Sequence, residues 1–283
     1  MERKYQILNQ YFGYSSFRSG QEELIDAQMA GRDAVGIMPT GGGKSLCYQI
    51  PALLSDGITL VVSPLISLMK DQVAALKKAG IPAAYINSSL SIDQIRTVYK
   101  NLVANKYKIV YIAPERLLTE GFLLTVKSIK VSIVAVDEAH CISQWGQDFR
   151  PSYLRIVGFL KLLGYRPVVS AFTATATPQV RNDIERILEL NDPLRVVTGF
   201  DRPNLHFEVL KPRNKPATLL ELIKNRQDKS GIVYCSTRRE VEKTCLMLQN
   251  NDILATRYHA GLSDDERRAN QDNFVHDRCN VIV

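Results

Sequence analysis

The segment Thr40-Gly41-Gly42-Gly43-Lys44-Ser45 combines the flexibility and the positive charge that a polyphosphate-binding loop needs. Its three glycines let the backbone curl until the N–H groups point inward at phosphate oxygens. Lys44 would neutralise the β- and γ-phosphates of a nucleotide, and the Ser45 hydroxyl would ligate Mg²⁺. Met38 and Pro39 precede the loop, and Met38 stands where the strict Walker A pattern has its first glycine. The segment predicts a phosphate-binding loop; a glycine-rich turn without a ligand is the alternative.

Two adjacent carboxylates, Asp137 and Glu138, follow the apolar run 134–136. A strand that ends there delivers both side chains to the carboxyl edge of a parallel sheet, where ligands bind in open α/β folds. Asp137 would hold the Mg²⁺, directly or through water, and Glu138 would orient and deprotonate the attacking water during phosphoryl transfer. Alone, the pair is often only an exposed loop, but after a phosphate-binding loop it predicts a Walker B element.

A third candidate lies upstream, in Phe17-Arg18-Ser19-Gly20-Gln21. The Gln21 amide can donate to and accept from an adenine edge in one plane. Tyr14 or Phe17 would stack on the base, although a core position for Phe17 is an equal alternative. The segment therefore predicts that Phe17, Arg18 and Gln21 belong to the nucleotide site.

These residues need a scaffold, and short apolar runs that alternate with helical patterns predict an α/β fold with a parallel sheet covered on both faces. Strands are predicted at 34–38, 59–63, 83–86, 109–112, 132–136, 168–173 and 195–197. Helices are predicted at 46–54, 67–79 and 179–188. The pairs Ser91 with Gln94 and Thr177 with Pro178 predict helix N-termini.

A second series of strands and helices follows a predicted domain boundary near 200–204. Its strands are predicted at 205–210, 231–235, 256–259 and 280–283, and its helices at 218–226, 239–249 and 264–275, with a polar loop at 211–216. We therefore expect a first domain over 1–202, with a core of about 25–194, and a second over 203–283. Because the final strand has no helix after it, the second domain is predicted to be incomplete.

The composition excludes several classes of protein. Of 283 residues, 45% are hydrophobic and 23% are charged, which is typical of soluble globular proteins rather than of disordered, collagen-like or membrane proteins. The apolar runs are shorter than the roughly 18 residues of a membrane span, and 1–10 lacks the apolar core of a signal peptide. A cytoplasmic protein is predicted. The net charge of +7 permits a polyanionic partner.

The five cysteines are an odd number and include no C-x-x-C pair. This spacing argues against a disulfide framework and against a four-cysteine zinc site. The sequence therefore predicts reduced thiols and no zinc site in this chain.

Asp137-Glu138-Ala139-His140 is a DEAH box, and the segments around it resemble the superfamily 2 helicases and, among them, the RecQ family of DNA helicases. The resemblance is carried by the Gln21 segment and by residues 38–45, 62–72, 111–116, 137–151, 173–175, 200–204 and 258–262. It covers nearly all of the chain. It implies two tandem RecA-like parallel-sheet domains, and it adds His140 to the catalytic residues Lys44, Asp137 and Glu138.

The resemblance also implies residues that contact DNA or couple it to the nucleotide site. An aromatic-rich loop with Gln144, Trp145, Phe149 and Arg150 would sense single-stranded DNA, since flat rings stack on bases; a buried core position is the alternative for Trp145. Further contacts or coupling residues are expected at Ser63, Pro64, Lys70, Pro114, Arg116, Thr173, Thr175, Ser236, Arg238 and His259. A solvated helix face is the alternative for Lys70 and a structural role for His259. The Thr173 and Thr175 hydroxyls are expected to bond the DEAH carboxylates.

As a whole, the resemblance implies an ATP-dependent 3′–5′ DNA helicase of recombination and repair, which uses ATP and Mg²⁺ and acts on single-stranded and forked DNA. It leaves protein partners open and implies a DNA-associated protein in the cytoplasm. Family members continue past Val283 and carry an arginine finger there, a group worth about 10³–10⁵ in turnover. We therefore expect this chain to bind ATP and DNA with little or no unwinding.

Three alternatives compete with this interpretation. A non-catalytic ATP- and DNA-binding module is one, although intact Lys44, Asp137 and Glu138 argue against it. An RNA helicase of the DEAD-box kind is another, and His140 and the Trp145 loop argue against that. A small-molecule kinase is disfavoured, because it would not need two tandem α/β domains with these motifs.

Overall fold

The computed structural model describes residues 3–199, 204–226 and 228–283. Contacts divide the chain into two compact units after residue 202. The first unit is built on a seven-stranded sheet in which every described pairing is parallel. Its strands are β1 (Ala34–Ile37), β2 (Ile58–Val62), β3 (Ala83–Ile86), β4 (Ile109–Ile112), β5 (Val131–Val136), β6 (Val168–Thr173) and β7 (Leu194–Val197). The strand order is β3-β4-β2-β5-β6-β1-β7.

Eight helices of the described part of this unit connect or precede the strands. They are α1 (Arg3–Phe12), α2 (Gln21–Met29), α3 (Leu46–Leu54), α4 (Ile66–Lys78), α5 (Ile92–Val103), α6 (Glu120–Lys127), α7 (Arg155–Leu162) and α8 (Pro178–Ile187). Ser91 begins α5 with the reciprocal capping box that its spacing to Gln94 predicts. Thr177 caps α8 by accepting from the Val180 N–H, with Pro178 in the first turn. These predictions are confirmed.

The sheet is buried on both faces, because alternate residues of each strand point to opposite sides. In β2, for example, Leu60 belongs to a core cluster with α5 to α8, whereas Val61 belongs to a cluster with α2 to α4. Fully buried parallel strands are therefore nearly continuous apolar runs. The prediction of an α/β fold with a parallel sheet covered on both faces is confirmed.

The second unit has a smaller parallel sheet. Its strands are β8 (Gly231–Ile232), β9 (Ala255–Thr256) and β10 (Val281–Ile282), in the order β8-β10-β9. Its helices are α9 (Lys215–Lys224), α10 (Arg238–Gln249) and α11 (Asp264–Val275). Ser263 accepts from the Glu266 N–H and so caps α11.

Three predictions for the second unit are wrong. Residues 205–210 form no strand, since their apolar alternation finds no neighbouring strand among the described residues, and Phe207 and Val209 are each 87% exposed. The three predicted strands that do form are only two residues long. The helix expected at 218–226 begins at Lys215, because Asn214 caps it and Pro216 is tolerated in its first turn; the predicted loop is therefore shorter.

Residues 200–203, which carry most of one predicted family motif, lie outside the described residues. In the part of the chain that the structure describes, no helix is both long and apolar enough to cross a membrane.

Candidate functional site

The glycine-rich loop lies where β1 ends and α3 begins, at the carboxyl edge of the sheet. Gly41 and Gly43 have φ values of 80° and 81°, which favour glycine over any residue with a Cβ. A Cβ on Gly43 would also collide with the side-chain amide of Gln21. The loop therefore takes this shape only with glycine at these positions.

Gln21, at the start of α2, is almost fully buried beside this loop. Its Oε1 accepts from the Arg18 N–H at 2.8 Å, and its Nε2 donates to the carbonyls of Gly43 at 3.0 Å and Gly42 at 3.3 Å. The Arg18 guanidinium donates to the Gly41 carbonyl. The amide predicted to contact adenine thus holds the loop main chain in this structure.

The two aromatic candidates for base stacking differ in their surroundings. Tyr14 is half-exposed and lines the cavity described below. Phe17 is half-buried, and its ring centroid lies 5.0 Å from that of Tyr5 on α1. The structure therefore places Phe17 against α1 and leaves Tyr14 facing the cavity.

Lys44 and Ser45 lie between the loop and α3. The Lys44 ammonium donates to the Met38 carbonyl at 3.2 Å, on the loop's own backbone. The Ser45 carbonyl accepts from the N–H groups of Tyr48 and Gln49, so Ser45 lies at the N-terminus of α3. The positive end of a helix dipole attracts phosphate at this position.

Asp137 and Glu138 follow β5 directly, at the same edge of the sheet. Burial raises the pKa of the Asp137 carboxyl to about 6, with a further increase from the Glu138 charge and smaller opposing effects of the Glu138 N–H and Lys44. Glu138 adopts a left-handed conformation with φ 47°, which is uncommon for a residue with a side chain. The Tyr153 hydroxyl donates to the Asp137 carbonyl at 2.8 Å and so holds the main chain of this turn.

His140 contacts the next strand rather than a phosphate-binding residue. Its Nδ1 lies 2.8 Å from Thr173 Oγ1 and 3.4 Å from Glu138 Oε2. The Thr173 hydroxyl donates to the Thr175 carbonyl at 3.1 Å. The expectation that the Thr173 and Thr175 hydroxyls bond the DEAH carboxylates is therefore wrong: Thr173 bonds the His140 ring, because the ring stands between it and Glu138, and the Thr175 side chain is exposed.

One cavity of about 460 Å³ brings the separate segments of this unit together. Its lining includes Tyr14, Arg18, Gln21, Thr40, Gly41, Gly43, Lys44, Ser45, Asp137 and Glu138. The Asp137 carboxylate and the Ser45 hydroxyl are oxygen ligands of the kind that Mg²⁺ prefers, and the Lys44 ammonium suits the phosphates that would carry the metal. The residues therefore fit a magnesium nucleotide. Among the described residues, no group of three or more His, Cys, Asp or Glu side chains is arranged to hold a metal by itself.

The aromatic-rich loop begins immediately after the DEAH box and leaves Trp145 69% exposed, so a buried core position for this residue is excluded. Ser143 donates to the Asp183 carboxylate on α8 at 2.7 Å and accepts from the Trp145 N–H at 3.1 Å. A Cβ on Gly146 would collide with the His140 carbonyl. The loop is therefore packed directly against the DEAH segment.

Arg150 ends this loop and connects it to the end of β2. Its guanidinium donates to the Pro64 carbonyl at 3.2 Å and pairs with Asp148 at 2.7 Å. The backbone N–H of Arg150 donates to the Cys141 carbonyl at 2.8 Å. Phe149 and Gln144 line a small cavity of about 220 Å³ beside Trp145.

The other residues predicted to contact DNA follow the carboxyl ends of strands, but they differ in exposure. Ser63, Pro114 and Thr173 are buried, so their side chains do not reach the surface in this structure. Lys70 is exposed, and Pro64 and Arg116 are partly exposed.

In the second unit, Ser236 and Arg238 are exposed next to the N-terminus of α10. His259 Nε2 lies 2.8 Å from Glu242 Oε1, and His259 Nδ1 accepts from the Gly261 N–H at 3.1 Å. Both ring nitrogens of His259 are therefore engaged within the unit.

Sequence reasoning missed Asp183 and Tyr153, which hold the aromatic loop and the Asp137 turn. Neither belongs to a recognisable motif. Tyr153 lies two residues beyond the segment 137–151, and that proximity was the only available signal.

Residues 18–184 match the DEAD/DEAH box helicase family, and residues 214–283 match the helicase conserved C-terminal domain. The chain belongs to the DEAD/DEAH box helicase family.

Two similar curated proteins are both named ATP-dependent DNA helicase RecQ. That of Bacillus subtilis (strain 168) is 49% identical over 100% of this chain and 48% of its own length. That of Pasteurella multocida (strain Pm70) is 45% identical over 98% of this chain and 44% of its own length. The chain spans about half the length of the curated relatives it matches. These similarities confirm the resemblance to RecQ helicases.

Solved structures share the fold at low sequence identity. The DUF1998 helicase MrfA bound to DNA and AMPPNP matches with a TM-score of 0.78 at 18% identity, over 100% of this chain and 43% of that one. Mycobacterium smegmatis helicase Lhr bound to ssDNA and AMP-PNP matches with a TM-score of 0.69 at 21% identity, over 95% and 40% of the two chains. The prediction of tandem RecA-like parallel-sheet domains is confirmed.

Proposed function

We propose that the protein is an ATP-dependent DNA helicase of the RecQ type. The observation that carries the proposal is the convergence of Gln21, Lys44, Ser45, Asp137 and Glu138 on one cavity, from three separate stretches of the chain. A glycine-rich turn with no ligand would not need a buried carboxylate opposite it.

Each residue of this cavity has a proposed role toward a magnesium nucleotide. Lys44 and the N–H groups at the start of α3 bind the phosphates, while Ser45 and Asp137 provide oxygen ligands for the metal. Bound Mg²⁺ supplies positive charge next to the β- and γ-phosphate oxygens. Glu138 orients a water molecule and accepts its proton at a carboxylate oxygen. Tyr14 contacts the adenine base, while the Gln21 amide holds the main chain of the loop.

Single-stranded DNA is the proposed partner of the carboxyl edge of the sheet. Exposed Trp145 stacks on bases, and Lys70, Arg116 and Arg150 attract the backbone, with Ser236 and Arg238 adding contacts from the second unit. Such contacts tolerate any base sequence and weaken with salt. Forked DNA as a substrate, a 3′–5′ direction, a role in recombination and repair and a cytoplasmic location are parts of the proposal that rest on the resemblance to RecQ helicases.

The domain assignment is also part of the proposal. Residues 1–202 are the ATP-binding domain, and residues 203–283 belong to the helicase C-terminal domain. Support comes from the two compact units and from the two family matches, which fall on either side of residue 202.

Steady-state ATP hydrolysis with Mg²⁺, measured without nucleic acid and with single-stranded DNA or RNA, tests this function. We expect DNA to stimulate turnover more than RNA does, and Trp145→Ala to lose most of the stimulation. Phe207→Ala is the matched control, because Phe207 is a highly exposed aromatic residue outside the cavity and the aromatic loop. Equal stimulation by RNA would favour an RNA helicase.

A further inference from the structure

The helix α4 brings a polar side chain, that of Gln72, to the nucleotide cavity. Leu68 and Gln72 are one helical turn apart and both line the cavity. Met69 and Val73, which follow each of them in the sequence, are buried in the core instead. The family resemblance extends to Gln72 without implying a role for it, so its place in the cavity needs an explanation.

Two buried groups hold the carbonyl end of the Gln72 side chain. Gln49 on α3 donates from Nε2 to Gln72 Oε1 at 3.1 Å, and the Tyr111 hydroxyl on β4 donates to the same oxygen at 3.4 Å. Gln49 Nε2 also donates to Tyr111 Oη at 3.3 Å, so the three side chains form a closed triangle. Gln49 and Tyr111 are each less than 5% exposed. Packing therefore fixes both donors, and they fix the Gln72 amide in turn.

This triangle decides which end of the Gln72 amide is left for a ligand. A side-chain amide has an acceptor oxygen and a donor nitrogen on the same carbon. Because Oε1 accepts from Gln49 and Tyr111, Nε2 is the end that remains, and it bonds no acceptor among the described residues. Gln72 thus offers the cavity two N–H donors without a charge.

The position of Gln49 places these donors at the phosphate end of the cavity. Gln49 follows Ser45 by four residues, and its backbone N–H donates to the Ser45 carbonyl at 3.0 Å. The two side chains therefore lie one turn apart on the same side of the helix. Because Gln72 bonds Gln49, it reaches the cavity beside the start of α3, where the helix dipole and the loop attract phosphate.

We propose that Gln72 binds the phosphates of the nucleotide through hydrogen bonds donated by its Nε2, and that Gln49 and Tyr111 are its positioning residues. A hydrogen bond to a charged oxygen is stronger than one between neutral groups, and it contributes about tenfold or more to affinity. The inference rests on the proposed function, since it presupposes a nucleotide in this cavity.

The chemistry of the amide separates the phosphates from the metal as its target. Phosphate oxygens only accept hydrogen bonds, so an N–H donor complements them. The water molecules that Mg²⁺ retains donate their protons outward and need acceptors, which a carboxylate such as that of Glu138 provides. An amide nitrogen cannot accept a proton. Gln72 therefore complements Lys44, since it adds directional, uncharged donors to the positive charge of the lysine.

The test is the response of nucleotide affinity to the charge at position 72. The dissociation constant of a fluorescent, non-hydrolysable ATP analogue is measured with Mg²⁺ for Gln72→Leu, Gln72→Glu and Gln72→Lys. Leucine removes the donor, and we expect it to weaken binding about tenfold. Glutamate places a negative charge against the phosphates and should weaken binding further. Lysine supplies a charged donor, so affinity should stay within about threefold of the parent.

Further variants test the positioning role and control for the substitutions themselves. Tyr111→Phe removes one of the two bonds to Gln72 Oε1 while keeping the ring, and we expect binding about threefold weaker. In a Gln72→Leu background the same change should have no further effect, because the amide that the hydroxyl positions is gone. Gln179→Leu and Gln179→Glu, at an exposed position on α8 outside the cavity, should bind like the parent. Far-UV circular dichroism checks that each variant is folded.

The outcomes distinguish this inference from the proposed function. If the parent chain does not bind the analogue at all, the proposed function fails. If the parent binds and Gln72→Leu and Gln72→Glu bind equally well, the inference alone is overturned. Equal weakening by leucine, glutamate and lysine would also overturn it, because that result indicates a purely structural role. Parental affinity of Gln72→Glu with weakened binding by Gln72→Lys would place the side chain at the metal and would overturn it as well.

Discussion

The Nδ1 atom of His140 lies 2.8 Å from the hydroxyl oxygen of Thr173. That hydroxyl donates its proton to the Thr175 carbonyl, so it must accept from His140, and the ring therefore carries a proton on Nδ1. The bond joins the turn after β5, which carries Glu138, to the end of β6. This hydrogen bond is a direct connection between the DEAH box and the end of β6.

Thr173→Val should test this connection, because valine keeps the shape and removes the acceptor. We expect DNA-stimulated turnover to fall about tenfold, which corresponds to the loss of one hydrogen bond. Nucleotide affinity should stay within about twofold, since Thr173 does not line the cavity. Ser170→Ala is the control: Ser170 is a buried residue of the same strand whose hydroxyl has no partner among the described residues. Equal turnover of the two variants would contradict the account.

Asp137 should make the nucleotide-free protein less stable as the pH rises. Its folded-state pKa of about 6 exceeds the ordinary value of 3.8, so between these values the folded protein binds more protons than the unfolded chain. Stability from this group is therefore lost as the pH rises toward 6 and stays lost above it.

The variant Asp137→Asn cannot ionise, so it should avoid this loss of stability and gain on the parent as the pH rises. Without Mg²⁺ or nucleotide, we expect it to exceed the parent in unfolding free energy at pH 8 by at most roughly 3 kcal/mol, with a smaller gain at pH 5. Urea denaturation at both pH values measures this. A variant that is less stable than the parent at pH 8 would show that burial does not penalise the charge.

Gln28 compensates for a proline inside α3. Pro51 has no N–H for the Cys47 carbonyl, and Gln28 Nε2 donates to that carbonyl instead at 2.7 Å. We expect Gln28→Leu to cost about 1–3 kcal/mol of unfolding free energy. In a Pro51→Ala background the helix supplies the missing donor, so the cost should shrink by about 1 kcal/mol. Denaturant unfolding of all four proteins gives the coupling energy, and additive effects would refute the compensation.

Asp33 should be the most sensitive charged residue at the opposite edge of the sheet. Its buried carboxylate accepts two bonds from Arg166, at 3.0 and 2.7 Å, and further bonds from the N–H groups of Val169 and Asn191. We expect Asp33→Asn to cost about 2–4 kcal/mol, because it leaves the guanidinium without its charge partner. Asp192→Asn, at an exposed pair with Arg32, should leave the denaturation midpoint unchanged. Similar midpoints for both variants would contradict this.

The position of a candidate site residue could be predicted from the sequence where the residues of the site are contiguous in the chain. The loop 40–45 and the DEAH box are contiguous, and each follows a buried apolar strand, so their position at one sheet edge could be predicted from the pattern. The amide chemistry of Gln21 placed it at the nucleotide site, but its contact with the Gly43 carbonyl was not predicted. The bonds from Ser143 to Asp183 and from Gln28 to Cys47 were not predictable, because they join residues far apart in the chain.

The errors also have physical causes. Residues 205–210 alternate apolar and polar side chains as a strand does, but a strand needs hydrogen-bonding neighbours, and alternation carries no information about them. The prediction that Thr173 contacts the DEAH carboxylates was wrong for a different reason. The sequence placed both groups at one edge but could not show that His140 occupies the space between them.

The binding of a fluorescent ATP analogue to the 283-residue chain tests the central claim most directly, which is that the cavity beside the glycine-rich loop holds a magnesium nucleotide. We expect saturable binding that ATP displaces, weakened at least about tenfold by Lys44→Ala, since the lysine makes a charge-assisted contact with phosphate. Lys78→Ala, at an exposed position on α4 outside the cavity, should bind like the parent. Equal affinity of the Lys44→Ala and Lys78→Ala variants would contradict the claim.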